Sequence, residues 1–497
     1  MAKQKSLKQK AASGMVWTSI QKFSKMGIQF ILGIILARLL TPFDYGCIGM
    51  LTIFMVVAEA FIDGGFGSAL IQKKRPTQTD YSTIFWWNLA LSFVMYAILF
   101  FSAPAIARFY DIPILRDVLR VQGLILFIYA LNLIQRNQLK KQLKFKILAI
   151  VRIITSLVAL VITVTMAFMG FGVWALVAQY LLGGIVPAIV FWFYLKWRPS
   201  WVFSWKSFKE LFNFGFFMFL THLVNSFCSK LNALLIGKIY SPQILGYYSK
   251  AMRTENLASN TLSSVLTSIT YPLYAEVQDD KKRLANMIKR LTTSIAYITF
   301  PLMCLMMLIA KPVFLLLYSD RWLESVPFFQ VLCLVGLANC LQSVNTQSIA
   351  AIGKSKTMFY WTLIKRSFGL TFVIGGLYLF GMWGLLAGVV MYNWFCYFVN
   401  IGLVSKHIGY KWTQQLLDLS PMLITSALFA AITYFSVSWL HLSVYVDGIL
   451  KFVIFVSLYL GYTFIVKPDS ALYLLTIIPS KFKFWERKKQ KNIQKND

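Results

Sequence analysis

The chain has 497 residues, 58% hydrophobic, 16% aromatic and only 13% charged, with a mean hydropathy of +0.64. A soluble chain of this size carries about a quarter charged residues and divides into several domains, so a soluble multidomain enzyme and a disordered scaffold are both excluded. Apolar stretches of about 20 residues, the length a helix needs to cross a bilayer, recur along the whole chain. An outer-membrane barrel would instead show alternating strands of about 10 residues. The fold class is all-α: a polytopic membrane protein.

In chain order, fourteen helices are predicted, at 13–40, 45–71, 80–107, 117–135, 145–169, 172–195, 208–239, 243–275, 284–308, 325–350, 357–379, 382–404, 417–439 and 447–466. The first, seventh and eighth are polar on one side, as expected of spans that line a wet cavity. The basic start MAKQKSLKQK runs into the first helix without an evident cleavage site and reads as an uncleaved span.

Lys and Arg number 49 against 18 Asp and Glu, a net charge of +31. In a soluble protein this would suggest nucleic acid; in a polytopic one, cytoplasmic loops collect the basic residues, and no nucleic-acid partner is expected. Basic clusters fall at 3–10, 73–75, 136–146, 196–209, 281–283, Lys354 and Lys356, Lys406 and Lys411, and 481–495. The connections TPFDY, MGFG, YSPQ, FGMW and HLSVYVDG between them contain no Lys or Arg. Every second loop is basic, which places both termini in the cytoplasm and makes the helix number even. Six cysteines, Cys47, Cys228, Cys304, Cys333, Cys340 and Cys396, lie in apolar segments without CxxC spacing. They read as small buried side chains, and neither a metal nor a cofactor is expected.

The chain also repeats itself. ARLLTPFDYG and GKIYSPQILG align Arg38 with Lys238, Thr41 with Ser241, Pro42 with Pro242 and Gly46 with Gly246, an offset of 200. Pro104, Tyr110 and Gln122 match Pro312, Tyr318 and Gln330 at 208, and FGVWAL at 171–176 matches FGMWGL at 380–385 at 209. A repeat of six helices is even, so the copies are parallel about an axis along the membrane normal. The expected organisation is an N-lobe at 1–195 (helices 1–6), a cytoplasmic linker at 196–207, a C-lobe at 208–404 (helices 7–12), helices 13–14 within 405–479, and a basic cytoplasmic tail at 480–497. Composition and spacing alone reach a two-lobed transporter.

LARLLTPFDYG after a long amphipathic first helix, followed by the stretch to FIDGGFGSALIQKK, resembles bacterial polysaccharide exporters of the Wzx type. These belong to the multidrug/oligosaccharidyl-lipid/polysaccharide exporter superfamily. The resemblance covers essentially the whole chain and is most specific over roughly residues 12–75. It implies a multi-pass protein of the bacterial inner (cell) membrane that is no enzyme. The implied activity is flipping undecaprenyl-diphosphate-linked oligosaccharide by alternating access, for O-antigen, capsule or exopolysaccharide. Implied partners are that lipid-linked substrate, membrane lipids, H⁺ or Na⁺ as a candidate coupling ion, and glycan polymerase or assembly proteins.

Ionisable groups at membrane depth are costly and usually face a cavity or a partner. Lys22 and Lys25 share one face of helix 1, and Glu59 and Asp63 one face of helix 2. Lys25 and Glu59 each lie roughly 18 Å along their helices from the cytoplasmic end, so the two can pair. Such a pair could be purely structural; Asp63, before Gly64 and Gly65, could simply organise a helix break. In the second half Lys250 and Arg253 sit on helix 8 with Glu255, and Lys230 on helix 7. At an offset of 200 these charges have no charged counterparts: Lys250 and Arg253 face Met50 and Ile53, and Glu59 and Asp63 face Ser259 and Ser263. The candidate diphosphate site is therefore the cationic set Lys22, Lys25, Lys230, Lys250 and Arg253; the ion-coupling candidates are Glu59, Asp63 and Glu255. Arg152, Lys365 and Arg366 are more simply read as snorkelling or locally paired. The rivals are a cation-coupled multidrug antiporter of the same superfamily, which would favour an acidic site, and a membrane glycan polymerase or ligase. An enzyme of the latter kind would carry a substantial catalytic outside loop, yet the connections near 103–117 and 309–325 are short and poor in paired acids.

Overall fold

The computed structural model describes residues 7–277 and 279–470, and all regular structure among them is helical. The first half runs α1 (Leu7–Leu39), α2 (Pro42–Asp63), α3 (Phe66–Gln72), α4 (Gln78–Tyr110), α5 (Ile114–Gly123), α6 (Ile125–Lys141), α7 (Phe145–Phe168) and α8 (Val173–Tyr194). There follow α9 (Trp205–Ile239), α10 (Pro242–Glu276), α11 (Lys281–Leu308), the short α12 (Ala310–Tyr318), a 3₁₀ turn at Asp320–Trp322, α13 (Ser325–Ala351), α14 (Ser355–Ile408), α15 (Trp412–Ser438) and α16 (Val444–Val466). The basic tail expected at 480–497 lies outside the described residues.

Among the described residues eleven helices are long and apolar enough to cross a membrane, and Trp205–Asn213 with Met218–Ile239, bent by 58°, makes a twelfth if the bent pair is one span. One of the eleven, Tyr360–Ile408, has 49 residues, roughly 70 Å at 1.5 Å per residue and more than twice a hydrocarbon core. It is broken at Phe380 (φ −132°) and Gly381 (φ 60°), between the two helices expected at 357–379 and 382–404. α10, with 35 residues, stands outside that count. These lengths are consistent with fourteen crossings. The helix expected at 117–135 is instead α5 and α6, interrupted at Leu124 and running on to Lys141.

Sequence chemistry sets the helix ends. Thr41 and Asp44 form a capping box before α2: the Asp44 carboxylate accepts from Thr41 N–H at 2.9 Å, with Pro42 at the first helical positions. Thr77 and Asp80 repeat the device before α4. α2 stops where Gly64 and Gly65 take φ of 51° and 72°, a left-handed pair that only glycine adopts cheaply. The resumed α3 has its last carbonyls covered by Lys141, whose ammonium donates to Leu70 O and Ile71 O, each at 3.1 Å, and to Lys73 O.

The chain divides into two compact units. The first comprises Met1–Lys250 with Leu317–Trp322. In it α1 lies along α7, while α2 packs against α9, α4, α8 and α6. Phe66 and Leu70 of α3 meet Ile84 and Phe85 of α4, Leu133 and Ile134 of α6 and Phe208 and Leu211 of α9 in one core. The segment before α9 is strapped to α4: Gln78 Nε2 donates to Arg198 O at 2.7 Å and Trp86 Nε1 to Ser200 O at 2.8 Å, and Trp86 stacks on Trp201 at 4.3 Å. Beside it Lys73 bridges Asp80 (3.1 Å) and Glu210 (3.0 Å). Burial works against the Lys73 charge, but its two carboxylate partners outweigh it and hold the ammonium above the ordinary lysine range. In the second unit, Ala251–Leu316 with Leu323–Asp497, α11 packs against α13 and α15, α13 against α14, and α16 against α15 and α11.

The repeat is visible as contact as well as sequence. A Cβ on Gly46 would collide with the Pro242 carbonyl, and one on Gly246 with the Pro42 carbonyl. Arg38 Nε donates to Leu317 O at 3.3 Å, and its counterpart Lys238 donates through Nζ to Phe109 O at 2.5 Å. Phe109 and Leu317 are themselves related by the offset of 208. All eight residues belong to the first unit.

Candidate functional site

The break at Gly64 and Gly65 leaves Glu59 and Asp63 on the last turns of α2, facing α6, α8 and α9. Glu59 Oε1 accepts a hydrogen bond from Tyr180 Oη of α8 at 2.5 Å. The cation that interacts with Glu59 is Arg136 of α6, which also interacts with Asp63. Glu59 thus has Tyr180 and Arg136 as partners, neither of which helix length alone pointed to. His222 of α9 adds a further electrostatic contact to Asp63.

Arg136 is exposed, with its guanidinium 6.0 Å from the Tyr129 ring, and it repels Lys140 on its own helix and Arg152 on α7. Next to it Asn137 is buried, its amide nitrogen without a hydrogen-bond partner among the described residues. A side chain at Gly67 would meet that amide and Asp63 Oδ1, each at 3.1 Å; the glycine keeps the two polar groups accessible to one another. Three bases and two carboxylates thus share one polar wall of the first unit.

Arg136 was read from sequence as part of the basic loop 136–146; α6 carries it and Lys140 on as helix. The signal available was IQRNQLKK continuing the apolar period of the preceding span.

Lys250 is placed elsewhere. It is 4% exposed, its ammonium donating to Gly33 O at 2.9 Å and lying 3.8 Å from the centre of the Tyr318 ring, 5.2 Å from Trp322 and 5.4 Å from Tyr45. Trp322 is fixed by its indole N–H on Ala37 O at 2.7 Å and meets Tyr45 edge-on. This aromatic cage joins α1, α2, α10 and the 317–322 segment, a structural setting that the sequence reading of Lys250 as a diphosphate ligand did not foresee.

Among the other candidates, Lys22 and Arg253 are exposed and Lys25 and Lys230 half-buried. Glu255 is 3% exposed. Lys365 is paired locally, donating to Asn400 Oδ1 at 3.0 Å. Among the described residues no group of three His, Cys, Asp or Glu side chains could hold a metal ion.

Residues 35–327 match the family described as polysaccharide biosynthesis protein. The chain is 26% identical over 358 residues to teichuronic acid biosynthesis protein TuaB of Bacillus subtilis, covering 72% of this chain and 74% of that one. It is 25% identical to succinoglycan biosynthesis transport protein ExoT of Rhizobium meliloti (82% and 80% covered) and 22% identical to lipopolysaccharide biosynthesis protein WzxC of Escherichia coli (83% and 85%). In fold it is similar to the lipid II flippase MurJ in an inward closed conformation, with a TM-score of 0.67, 14% identity and coverage of 91% of this chain and 100% of that one. An inward-facing multidrug MATE transporter follows at a TM-score of 0.59 and 17% identity, covering 83% and 99%. With more than half its length matched, this multi-helix membrane protein belongs to the polysaccharide biosynthesis protein family.

Proposed function

We propose that the protein flips undecaprenyl-diphosphate-linked oligosaccharide outward across the bacterial inner membrane, acting as a transporter rather than an enzyme, with both termini in the cytoplasm. The observation that carries this reading is the group Arg136, Lys140 and Arg152, in which Arg136 repels each of the other two: three bases at the polar wall against the two carboxylates Glu59 and Asp63. A diphosphate supplies the missing negative charge, and guanidinium groups bind it in bidentate fashion. The relatives' names, with polysaccharide biosynthesis and transport in them, support the same substrate class. Lys22, Lys25, Lys230 and Arg253 are the further bases on this reading, while Lys250 serves the cage. An inside-negative potential favours outward movement of the anionic headgroup by about 2.3 kcal/mol per charge per 100 mV.

Deletion of the gene is expected to leave lipid-linked intermediates on the cytoplasmic face. Arg136→Ala, Lys25→Ala and Arg253→Ala variants, inserted at normal levels, are expected to cut export at least tenfold, about 1.4 kcal/mol or more each. Normal export by all three would sink the diphosphate reading, and uptake of cationic dyes in its place would favour a drug antiporter. A cysteine introduced at residue 76 should react with an impermeant thiol reagent only after the cells are opened; labelling of intact cells would overturn the topology.

A further inference from the structure

Between α8 and α9, residues 195–204 have no regular secondary structure, yet their polar groups are well supplied with partners. Ser200 N–H donates to Ser82 Oγ at 3.0 Å and Ser204 N–H to Thr83 Oγ1 at 3.1 Å. The Arg198 guanidinium donates to the carbonyls of Trp192 (2.8 Å), Leu195 (2.8 Å) and Trp197 (2.9 Å). What is left outward is apolar: Trp201 is 88% exposed and Trp205 62%, with Val202 exposed between them. Its stack on Trp86 keeps the Trp201 ring in that position. The indole N–H groups of Trp192 and Trp197 are taken up by Leu131 O and Gln78 Oε1, whereas those of Trp201 and Trp205 have no partner among the described residues.

The segment is also basic. From 196 to 209 it holds Lys196, Arg198, Lys206 and Lys209 and no acid. Arg198 is occupied by the carbonyls; the three lysines are exposed. The carboxylates at its borders, Asp80 and Glu210, are both engaged by Lys73, so neither is left to answer the lysine charge.

Hydrocarbon is excluded as the surroundings of this stretch, because irregular backbone facing lipid tails cannot satisfy its polar groups. Bulk water would leave a contiguous apolar patch uncovered. The headgroup layer suits both characters: an indole buries its ring at the acyl boundary and donates its N–H to a phosphate or ester oxygen, while lysines meet lipid phosphates. A partner protein could cover the apolar residues too. The stretch is, however, joined at both ends to helices apolar enough to cross a membrane, which hold it where headgroups lie, and its charge is of one sign.

We infer that residues 196–209 form a docking surface for anionic phospholipid, with Trp201, Val202 and Trp205 seated at the acyl boundary and Lys196, Lys206 and Lys209 on lipid phosphates. On the topology proposed above this is the cytoplasmic leaflet; the surface does not depend on what the protein transports. Each base at such a surface strengthens the attraction about fivefold, so three of them select anionic over zwitterionic lipid.

The test uses the full-length protein with a nitroxide at Val202→Cys, in nanodiscs of phosphatidylcholine alone or with phosphatidylglycerol added, the signal of labelled protein without that substitution being subtracted. Phosphatidylglycerol should cut the label's collisions with a water-soluble nickel chelate severalfold and raise those with dissolved oxygen. Salt at about 1 M, which screens charges beyond roughly 3 Å, should reverse the change with no further substitution. Lys196→Gln, Lys206→Gln and Lys209→Gln together should abolish it. A label that stays in water in both lipid mixtures overturns the inference and leaves the surface to a protein partner. A label equally buried in both, or one that still responds to phosphatidylglycerol once the three lysines are neutral, overturns it as well. The flippase function stands or falls separately, on the lipid-linked intermediates of the deletion strain.

Discussion

A methyl group at Gly46 is expected to destabilise the protein by about 3 kcal/mol, at the upper end of what overpacking costs. The added carbon has nowhere to go: it meets the backbone carbonyl of Pro242, which cannot rotate aside as a side chain would. Gly246→Ala should cost as much, because Pro42 stands against it in the same way. Gly27 provides the control, since nothing lies within 4 Å of a Cβ there; alanine at that helical position should be neutral or stabilising by up to about 1 kcal/mol. The double variant Gly46→Ala, Gly246→Ala should be less damaged than the two single losses added together, because either methyl already forces α2 and α10 apart. Thermal midpoints in detergent give the comparison, and equal midpoints for the Gly27 and Gly46 variants would show that the close approach is not there.

Lys250→Ala is expected to cost about 3 kcal/mol in the absence of any substrate. A desolvated cation–π contact contributes about 2 kcal/mol and a hydrogen bond from a charged donor about 1.5–3, partly offset by no longer burying the charge. Lys250→Arg should not rescue it, since a planar guanidinium cannot occupy a cage shaped around a single ammonium. If the thermal midpoint of substrate-free Lys250→Ala matched that of the unsubstituted protein while export failed, Lys250 would be a substrate ligand and the cage incidental.

Much of the architecture could be read from the chain because lipid imposes it: a span must be long, apolar and helical, and the Lys-rich ends mark where it stops. The long apolar blocks and the matching stretches ARLLTPFDYG and GKIYSPQILG needed no partner to be recognised. Neighbour relations were another matter. Hydropathy gives each helix a length but does not say that α1 lies along α7, so Lys25 and Glu59 were matched by depth alone. Arg136 was hidden by the opposite error, a charge cluster taken as the end of a span when α6 continues to Lys141. The cage was illegible because its members, Tyr45, Lys250, Tyr318 and Trp322, are separated by up to hundreds of residues and are each unremarkable in their own segment.

The crossed pairs at Gly46 with Pro242 and Gly246 with Pro42, and at Arg38 with Leu317 and Lys238 with Phe109, have a bearing on ancestry. When residue i of one copy touches residue j of the other, and j of the first touches i of the second, the contact is isologous, the pattern a two-fold axis creates between identical subunits. A single chain has no need of such reciprocity. It is inherited most simply from a homodimer whose interface was already closed at this glycine before the two genes were joined.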